Sequence, residues 1–420
     1  MYCNQQITDT LFWTGVNDRR KQLFENLWPL PGGVSYNSFL IRDQKCALMD
    51  TVEAGSDRGY LDWIGSVLGD RPLDYLIIHH MELDHSGEIE NLLQRYPDVK
   101  IVGNIKTFKV LCGYLGQLPN LVEVKDGDTL DLGHHRLKFI FTPWVHWPET
   151  MMTYDQTDGI LFTGDAFGSF GALDGGVFDD QVVFSEHLEA EMRRYYSNIV
   201  GKYSNMVQKA LAKLSGENIR TICPLHGLVW RSNPGKAIEL YQRWSCYEAE
   251  DGVVVVYASM YGNTAKMADY IAHKIADAGV KQIRVHDVSK THISYLINDI
   301  WRFKGVVLGS CAYNTQMFPL MESLTRELVH IGVKNRYLGL FGSYSWNGGG
   351  VKNSLPMRSV GSRWPNPLKS WGVRHATSMP HAMRWRLEWQ ANCSTEVGSR
   401  NFAAENKAVF LKNIKNKSYF

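Results

Sequence analysis

Four side chains that could bind a metal ion fall within six consecutive residues of this sequence. The segment HMELDH, His80 to His85, directly follows an apolar run, Tyr75 to Ile78, that is typical of a buried strand. Imidazole and carboxylate ligands without cysteine suit iron, manganese or zinc rather than soft metals or clusters. The segment therefore predicts a metal site where a strand ends.

Three more candidate ligands stand at the ends of other predicted strands. His146 follows LKFIFTPWV, Asp165 follows GILFTG, and His226 follows IRTICPL. Strand ends in a layered sheet meet at one edge, so residues distant in the chain can converge there. A single histidine at a strand end is more often a hydrogen-bonded loop residue, and Asp165 could merely cap a turn. The complete set is much harder to explain by chance.

The number of candidate ligands predicts two metal ions. The full predicted set is His80, Glu82, Asp84, His85, His146, Asp165 and His226. These seven are too many for one tetrahedral ion but suit two ions that share one bridging carboxylate. Asp165 is the natural bridge because it lies between the two ligand groups in the chain. His79 is outside the spacing, and we interpret it as a non-ligand.

Three loops in the second half of the chain have the residues that a flavin needs. Ser259 to Thr264 follows the apolar strand VVVVYAS and opens a helix, so hydroxyls, a glycine and a helix N-terminus together form a phosphate cradle. Taken alone this segment could be only a helix N-cap, and it is neither GxGxxG nor a P-loop. The loops after GVVLGS and YLGLF add aromatic and small residues, as a planar isoalloxazine requires.

Together these loops resemble the FMN site of flavodoxins. The residues predicted to bind FMN are Ser259, Met260, Tyr261, Gly262, Asn263, Thr264, Ala312, Tyr313, Asn314, Ser343, Tyr344, Trp346, Gly348 and Gly349.

The elements that position these residues alternate strands with helices, which predicts an α/β protein of two domains. The first half contains two strands within Ser38 to Thr51, strands before each ligand loop, and helical stretches at Glu88 to Tyr96 and Ser185 to Ser215. The second half reads as a doubly wound parallel sheet. We place the metal domain at residues 1–250 and the flavin domain at 251–350.

Residues 351–420 read as an atypical tail in place of the last strand and helix of the second domain. Residues 351–400 contain no isoleucine, three leucines, four tryptophans and six arginines against two glutamates, and we find no apolar strand run there. A shifted reading frame and a lineage-specific tail are both open explanations. The sequence thus leads us to expect a flavin domain that is incomplete at its C-terminus.

Composition excludes several other classes of protein. The chain has 420 residues and a formal net charge of +2, so no basic field indicates nucleic acid. No apolar run approaches the ~20 residues that span a bilayer, and the N-terminus lacks the pattern of a secretory signal. The seven cysteines are scattered without a CxxC pair, which argues against a disulfide framework and favours a reducing cytoplasm.

The order HxExDH, then His, Asp and His, resembles the metallo-β-lactamase superfamily, whose usual pattern is HxHxDH. Glu82 stands where the hydrolases have a second histidine, and that exchange identifies the flavodiiron branch. A hard anionic ligand stabilises ferric iron, whereas imidazole suits hydrolytic zinc. The resemblance implies an αββα sandwich followed by a flavodoxin-like domain.

The resemblance also implies an assignment of ligands. His80, Glu82 and His146 would hold one iron, Asp84, His85 and His226 would hold the other, and Asp165 would bridge them.

A flavodiiron protein would reduce dioxygen to water, nitric oxide to nitrous oxide, or both, with electrons passed through FMN to two irons. The resemblance implies a head-to-tail homodimer and a donor such as rubredoxin, ferredoxin or a reduced deazaflavin. One alternative is a zinc-dependent hydrolase fused to a flavodoxin-like module. Another is a pure electron carrier in which the first domain is an inert scaffold.

Overall fold

The computed structural model describes residues 5–346 and 386–390 of the chain. The chain divides into two compact units, and the division falls between Cys246 and Tyr247. Each unit has its own sheets and helices.

The first unit contains sixteen strands and seven α-helices among its described residues. Its strands are Gln5–Gln6 (β1), Leu11–Trp13 (β2), Val16–Asp18 (β3), Leu23–Phe24 (β4), Trp28–Pro29 (β5), Val34–Tyr36 (β6), Phe39–Arg42 (β7), Cys46–Met49 (β8), Tyr75–Ile77 (β9), Lys100–Gly103 (β10), Leu121–Glu123 (β11), Thr129–Asp131 (β12), Arg136–Phe141 (β13), Met151–Asp155 (β14), Ile160–Phe162 (β15) and Thr221–Cys223 (β16). Its helices are Tyr60–Leu68 (α1), Leu83–Ser86 (α2), Ile89–Arg95 (α3), Ile105–Leu115 (α4), Glu186–Tyr195 (α5), Ser204–Leu214 (α6) and Pro234–Ser245 (α7).

Two large sheets pack face to face in this unit. One has the order β1-β2-β7-β8-β9-β10-β11, and the other has the order β12-β13-β14-β15-β16. A hydrophobic core lies between them and includes Phe39, Ile77, Phe139 and Phe162. This arrangement is the two-sheet sandwich that the sequence predicted.

Parallel pairing brings the predicted ligand loops to strand ends. Strand β9 runs parallel to β8 and β10, and the HMELDH segment follows it. Strand β15 runs parallel to β16, so the loops after them, which carry Asp165 and His226, leave the second sheet on the same side. The strands predicted before these loops are confirmed, with ends shifted by no more than four residues.

The long helical stretch predicted at Ser185 to Ser215 is not one helix. Helix α5 ends at Tyr195, a π-helical turn follows at Tyr196–Val200, and a 3₁₀ turn at Gly201–Tyr203 leads into α6. Such π turns are common at functional sites.

The second unit is a parallel sheet with helices connecting its strands. Its strands are Glu250–Ala258 (β17), Ile283–Asp287 (β18), Phe303–Tyr313 (β19), Gln316–Met317 (β20), Tyr337–Ser343 (β21) and Arg386–Gln390 (β22), and its helices are Asn263–Asp277 (α8), Ile293–Arg302 (α9) and Pro319–Ile331 (α10). The order β18-β17-β19-β21 is parallel throughout. Because Val254, Val255 and Val256 of β17 are fully buried, the continuous apolar run is explained by covered sheet faces.

Strand β22 corrects our expectation that no strand follows Gly350. It pairs with β21 in antiparallel direction, from Leu338↔Gln390 to Gly342↔Arg386. An antiparallel edge strand needs an alternating pattern rather than a continuous apolar run, which is why RLEWQ escaped the search for buried strands. The rest of the tail prediction falls on residues outside the described part of the chain.

No helix within residues 5–346 or 386–390 is long and apolar enough to cross a membrane.

Candidate metal centre and flavin site

The structure brings all seven predicted metal ligands together at the loop ends of the first unit. Their nitrogen and oxygen atoms form overlapping groups, one with His80, Glu82, His146 and Asp165, another with His80, Asp84 and His85, and a third with His85, Asp165 and His226. Four of the seven, His80, His85, Asp165 and His226, have no solvent exposure.

One set of ligand atoms surrounds one carboxylate oxygen of Asp165. Asp165 Oδ2 lies 3.4 Å from His80 Nε2 and 3.0 Å from His146 Nε2, and Glu82 Oε2 lies 3.0 Å from the same His146 atom. We call His80, Glu82 and His146 the first ligand set.

The other oxygen of Asp165 faces a second set. Asp165 Oδ1 lies 3.1 Å from His85 Nε2 and 3.7 Å from His226 Nε2, while Asp84 Oδ2 lies 3.2 and 3.3 Å from these two nitrogens. We call Asp84, His85 and His226 the second ligand set. Asp165 therefore presents one oxygen to each set, which is the geometry of a bridging carboxylate.

A hydrogen bond behind the site orients one of its histidines, His226. His226 Nδ1 donates to the carbonyl oxygen of Ser35 at 2.7 Å, so Nε2 keeps its lone pair towards the site in the neutral ring. By contrast, both ring nitrogens of His79 are engaged, Nδ1 with Asp50 and Nε2 with Thr153 at 2.9 Å. His79 thus has no nitrogen left for a metal.

Buried polar atoms in the centre lack hydrogen bonds among the described residues. They are both ring nitrogens of His80, His85 Nδ1, Glu82 Oε2, both carboxylate oxygens of Asp84, and Asp165 Oδ1. Such atoms are expensive unless an ion or another partner satisfies them. The three carboxylates carry three negative charges, which fit the four positive charges of two divalent ions. The donor set therefore fits a two-metal centre.

The carboxylates dominate the electrostatics of the centre. Burial alone would lower the pKa of His80, but the charges of Asp165 and Glu82 raise this pKa well above its usual value. Burial is likewise outweighed at His85, whose pKa Asp84 and Asp165 raise to about 10, and at His146, whose pKa rises to about 9 through Asp165 and Glu82. The pocket therefore attracts positive charge, whether protons or metal ions.

Tyr195 is a candidate functional residue that sequence reasoning missed. Its hydroxyl is buried and has no hydrogen-bond partner among the described residues, and its ring centroid lies 5.4 Å from that of His226. Burial and the charges of Asp165, Asp84 and Glu82 raise the pKa of Tyr195 well above its usual value. It occupies the last position of α5, before the π turn, and no sequence motif marks it.

Glu25 is a second residue that the sequence did not indicate. It lies in the turn between β4 and β5, with left-handed backbone conformations at Glu25 and Asn26. Partial burial and the charge of Glu82 raise the pKa of Glu25 to about 7, and Trp28 Nε1 donates to its carboxyl at 2.9 Å. The hairpin thus adds an acidic group beside the first ligand set.

The predicted flavin loops lie at the carboxyl ends of parallel strands in the second unit. The loop after β17 lies where the sheet order turns from β18 to β19, which is the position where doubly wound sheets bind ligands. Gly262 has a φ of 87°, Ser259 Oγ accepts a hydrogen bond from its N–H at 3.1 Å, and helix α8 begins at the next residue.

These loops have the features of a phosphate and flavin cradle. Helix α8 has no side-chain cap, so its first N–H groups remain available to an anion. Thr264 Oγ1 contacts Ser343 Oγ at 2.8 Å, which joins the first and third predicted loops. Tyr261 and Trp346 are 90% and 83% exposed, so their rings are accessible for stacking on a planar isoalloxazine. The residues therefore fit FMN.

Not every predicted flavin residue can be located. Gly348 and Gly349 lie outside the described residues. Met260 and Tyr313 are exposed at the strand ends, and Asn314 adopts a left-handed conformation in the turn between β19 and β20. Ala312 lies near the end of β19 and pairs with Met317 of β20, Tyr344 directly follows β21, and Asn263 begins α8.

Comparisons with known proteins agree with the site and the fold. Residues 34–227 match the ODP family beta lactamase, and residues 255–375 match flavodoxin. The flavodoxin match therefore continues past Gly350, into the segment where the sequence led us to expect an atypical tail.

Relatives cover most of the chain. An anaerobic nitric oxide reductase flavorubredoxin from Escherichia coli O1:K1 / APEC is 34% identical over 371 residues, which cover 87% of this chain and 77% of that protein. The solved rubredoxin oxygen:oxidoreductase from Desulfovibrio gigas is 29% identical with a TM-score of 0.81 and covers 85% of this chain and 90% of its own. The flavodiiron protein from Giardia intestinalis is 26% identical with a TM-score of 0.81, covering 86% and 88%.

Fold, site and relatives together define an oxidoreductase built from a metallo-β-lactamase-like domain and a flavodoxin-like domain. The chain belongs to the flavodiiron protein family. Its cofactors are accordingly two irons and FMN, as the sequence predicted, and the zinc hydrolase alternative is disfavoured.

Proposed function

We propose that this chain reduces dioxygen to water, nitric oxide to nitrous oxide, or both, at a diiron centre formed by the seven predicted ligands. The first ligand set would hold one iron, the second set would hold the other, and Asp165 would offer one carboxylate oxygen to each. The observation that carries the proposal is the position of Asp165 between the two ligand sets. Its Oδ2 lies 3.0 Å from His146 Nε2 and its Oδ1 lies 3.1 Å from His85 Nε2. Relatives named as reductases of nitric oxide and of oxygen support both substrates.

When bound, two irons and FMN supply electrons and open coordination positions for a small gas. The protein itself positions the metal ligands, excludes water from the centre and supplies protons to the substrate. Glu82, Asp84 and Asp165 hold anionic oxygens that stabilise ferric iron. The rings of Phe24 and Tyr195, with centroids 5.3 and 5.4 Å from that of His226, keep water from the second ligand set.

Protons must reach the substrate during reduction, and Tyr195 is placed to handle one. Its buried Oη is not engaged elsewhere among the described residues, so it can donate to an oxygen or nitrogen atom in the centre.

In this proposal residues 1–250 provide the metal centre and residues 251–350 provide the FMN site. The FMN-binding set is the one named from the sequence. We further propose a head-to-tail homodimer, in which the FMN of one copy serves the irons of the other, and a donor such as rubredoxin, ferredoxin or a reduced deazaflavin. Sedimentation equilibrium would test the dimer, and stopped-flow reduction with each donor would rank the donors.

The decisive experiment is anaerobic reduction of protein with known iron and FMN content, followed by electrode measurement of the consumption of each gas. We expect turnover of at least one gas that scales with iron content. Zinc in place of iron, with hydrolytic activity and no gas consumption, would overturn the proposal. Gas consumption that persists in an iron-free His80→Ala variant would instead support a simple electron carrier.

A further inference from the structure

Glu149 is a buried carboxylate that neither the ligand motif nor the flavin loops account for. Its residue is 2% exposed. Oε1 accepts a hydrogen bond from the backbone N–H of Met81 at 3.0 Å. Met81 lies between His80 and Glu82, so the bond holds the short turn that carries two members of the first ligand set.

The other end of Glu149 is fixed to the loop that carries the third member of that set. Glu149 is three residues after His146, and its carbonyl oxygen accepts from Asn104 Nδ2 at 2.6 Å. The next residue, Thr150, is held by its hydroxyl, which donates to the carbonyl oxygen of Trp147 at 2.9 Å. The backbone of Glu149 is therefore anchored, and its side chain reaches from one ligand loop to the other.

His80 is consequently held on both sides. On its N-terminal side the N–H of His79 donates to Asp50 Oδ1 at 2.8 Å, and the carbonyl oxygen of His79 accepts from the N–H of Met151 at 3.0 Å. On its C-terminal side the only side-chain bond that the described residues show to the Met81 N–H comes from Glu149.

We propose that Glu149 is a positioning residue for the iron of the first ligand set, linking the His146 loop to the turn between His80 and Glu82. Its second oxygen, Oε2, is buried and has no hydrogen-bond partner among the described residues. A residue selected only to fill space would not leave a carboxylate oxygen unsatisfied, because an apolar side chain would fill that space without the penalty. We infer that position 149 requires a side chain long enough to reach the Met81 N–H and able to accept its hydrogen bond.

Loss of the Glu149 side chain should affect the two irons unequally. The second ligand set has its own support, since His226 Nδ1 is bonded to the carbonyl oxygen of Ser35 and not to Glu149. Removing the side chain of Glu149 should therefore loosen one iron and leave the other in place. Changes to groups that orient metal ligands typically reduce metal affinity or activity by about 10- to 100-fold.

The test compares Glu149→Ala, Glu149→Asp and Glu149→Gln in the full-length holoenzyme. Gln keeps an acceptor oxygen at the same reach but loses the charge, whereas Asp keeps the charge but is one methylene shorter. Glu88→Ala is the matched control. Glu88 is also buried and follows ligand His85 by three residues, but its carboxylate accepts from the Gly55 N–H at 2.9 Å and from Asn91 Nδ2 at 2.8 Å rather than from the backbone of a ligand residue.

Iron release to a chelator is the main readout, and Mössbauer spectra of the two irons are the second. We expect the Ala and Asp variants to release one iron at least about 10-fold faster and to alter one iron spectrum only. The Gln variant and the Glu88 control should release iron at nearly the parent rate. If the Glu149→Ala variant does not fold, the difference in iron release between Glu149→Asp and Glu149→Gln still tests the inference.

Two results would overturn the inference. One is parental release of both irons from the Ala and Asp variants, and the other is fast release from the Gln variant with slow release from Asp, which would mean that charge alone matters. The inference rests on the proposed iron assignment, but the two fail differently. A parent protein without iron would defeat the proposed function, whereas a parent with two irons and an unaffected Glu149→Asp variant defeats only the role of Glu149.

Discussion

Two of the buried clusters of histidine and aspartate in the first unit differ in how their hydrogen bonds are satisfied. In the metal centre, His80 Nε2 and Asp165 Oδ1 lack hydrogen bonds among the described residues. In the other, which we call the His135 cluster and define as His135, Asp155 and Thr10, His135 Nδ1 is 2.8 Å from Asp155 Oδ2 and Nε2 is 2.6 Å from Thr10 Oγ1.

Burial and residue type alone do not separate these clusters. His135 and Asp155 are as fully buried as His80 and Asp165, and His135 also belongs to a group of potential metal ligands with His134 and Asp158. Unpartnered buried oxygens separate them, because both carboxylate oxygens of Asp84 and Asp165 Oδ1 have no hydrogen-bond partner among the described residues, whereas His135 and Asp155 are bonded to each other. A metal site is thus identified by what its buried polar atoms lack, and each prediction below tests that distinction.

The largest effect is expected from Asp165→Asn, because the amide replaces the carboxylate that faces both ligand sets. We expect loss of iron and a decrease in gas turnover of about 100-fold or more, which exceeds the usual effect of changing a supporting residue. Metal analysis and electrode measurements would check this. Asp155→Asn is the matched control in the His135 cluster, and it should keep iron and turnover. Two irons and parental turnover in Asp165→Asn would refute the bridging role.

The sequence indicates candidate metal ligands more clearly than candidate flavin-binding residues, and the reason is chemical. Metal ligands are side chains, so HMELDH and the residues His146, Asp165 and His226 carry their chemistry in their identity. A phosphate cradle depends on backbone N–H groups and on conformation, as at Gly262 and the uncapped start of α8, so many sequences would serve.

Tyr195 and Glu149 show what the sequence could not provide. Each is important because of which atoms it meets or fails to meet in three dimensions, and neither belongs to a motif of fixed spacing. The sequence also did not predict the break between α5 and α6, because a local helical pattern does not reveal a π turn. Strand β22 escaped because pairing at a sheet edge depends on a distant partner strand.

A second prediction extends the comparison from imidazoles to hydroxyls. Tyr195 has a buried hydroxyl without a partner among the described residues, whereas the buried hydroxyl of Tyr60 donates to Ser38 Oγ at 2.9 Å. Tyr195→Phe should reduce kcat about 10-fold or more at unchanged iron content, because a proton donor is lost. Tyr60→Phe should lower stability by about 1 kcal/mol and leave kcat unchanged. Equal kcat in Tyr195→Phe and the parent would remove Tyr195 from the proposed mechanism.

Iron removal should destabilise the first unit, because the three carboxylates of the centre then lose their positive partners. A ligand present at about 1,000 times its dissociation constant stabilises the folded state by about 4 kcal/mol, which corresponds to a Tm shift of about 10 °C for a unit of this size. Calorimetry of holo and chelator-treated protein would measure the shift. Asp155→Asn should retain it, and Asp165→Asn should not. An equal shift in both variants would show that iron acts elsewhere.

The smallest effect concerns the His135 cluster and depends on pH. Burial alone would lower the pKa of His135, but the hydrogen bond and charge of Asp155 raise it, with Asp158 and Asp43 adding to the effect. Since the folded pKa lies above the unfolded value of about 6.5, the charged pair stabilises the fold fully below that pH. This contribution is lost as the pH rises through the folded pKa. His135→Gln retains a neutral hydrogen bond but not the charge.

The parent should therefore exceed His135→Gln in stability by about 1 kcal/mol at pH 6, because charge-assisted hydrogen bonds are about twice as strong as neutral ones. The difference should shrink towards pH 9. Urea unfolding of both proteins at several pH values would measure it, and titrations elsewhere in the chain cancel in the difference. Iron content should be unchanged throughout, because both nitrogens of His135 are already engaged. Loss of iron from this variant would show that satisfied hydrogen bonds do not distinguish a structural cluster from a metal centre.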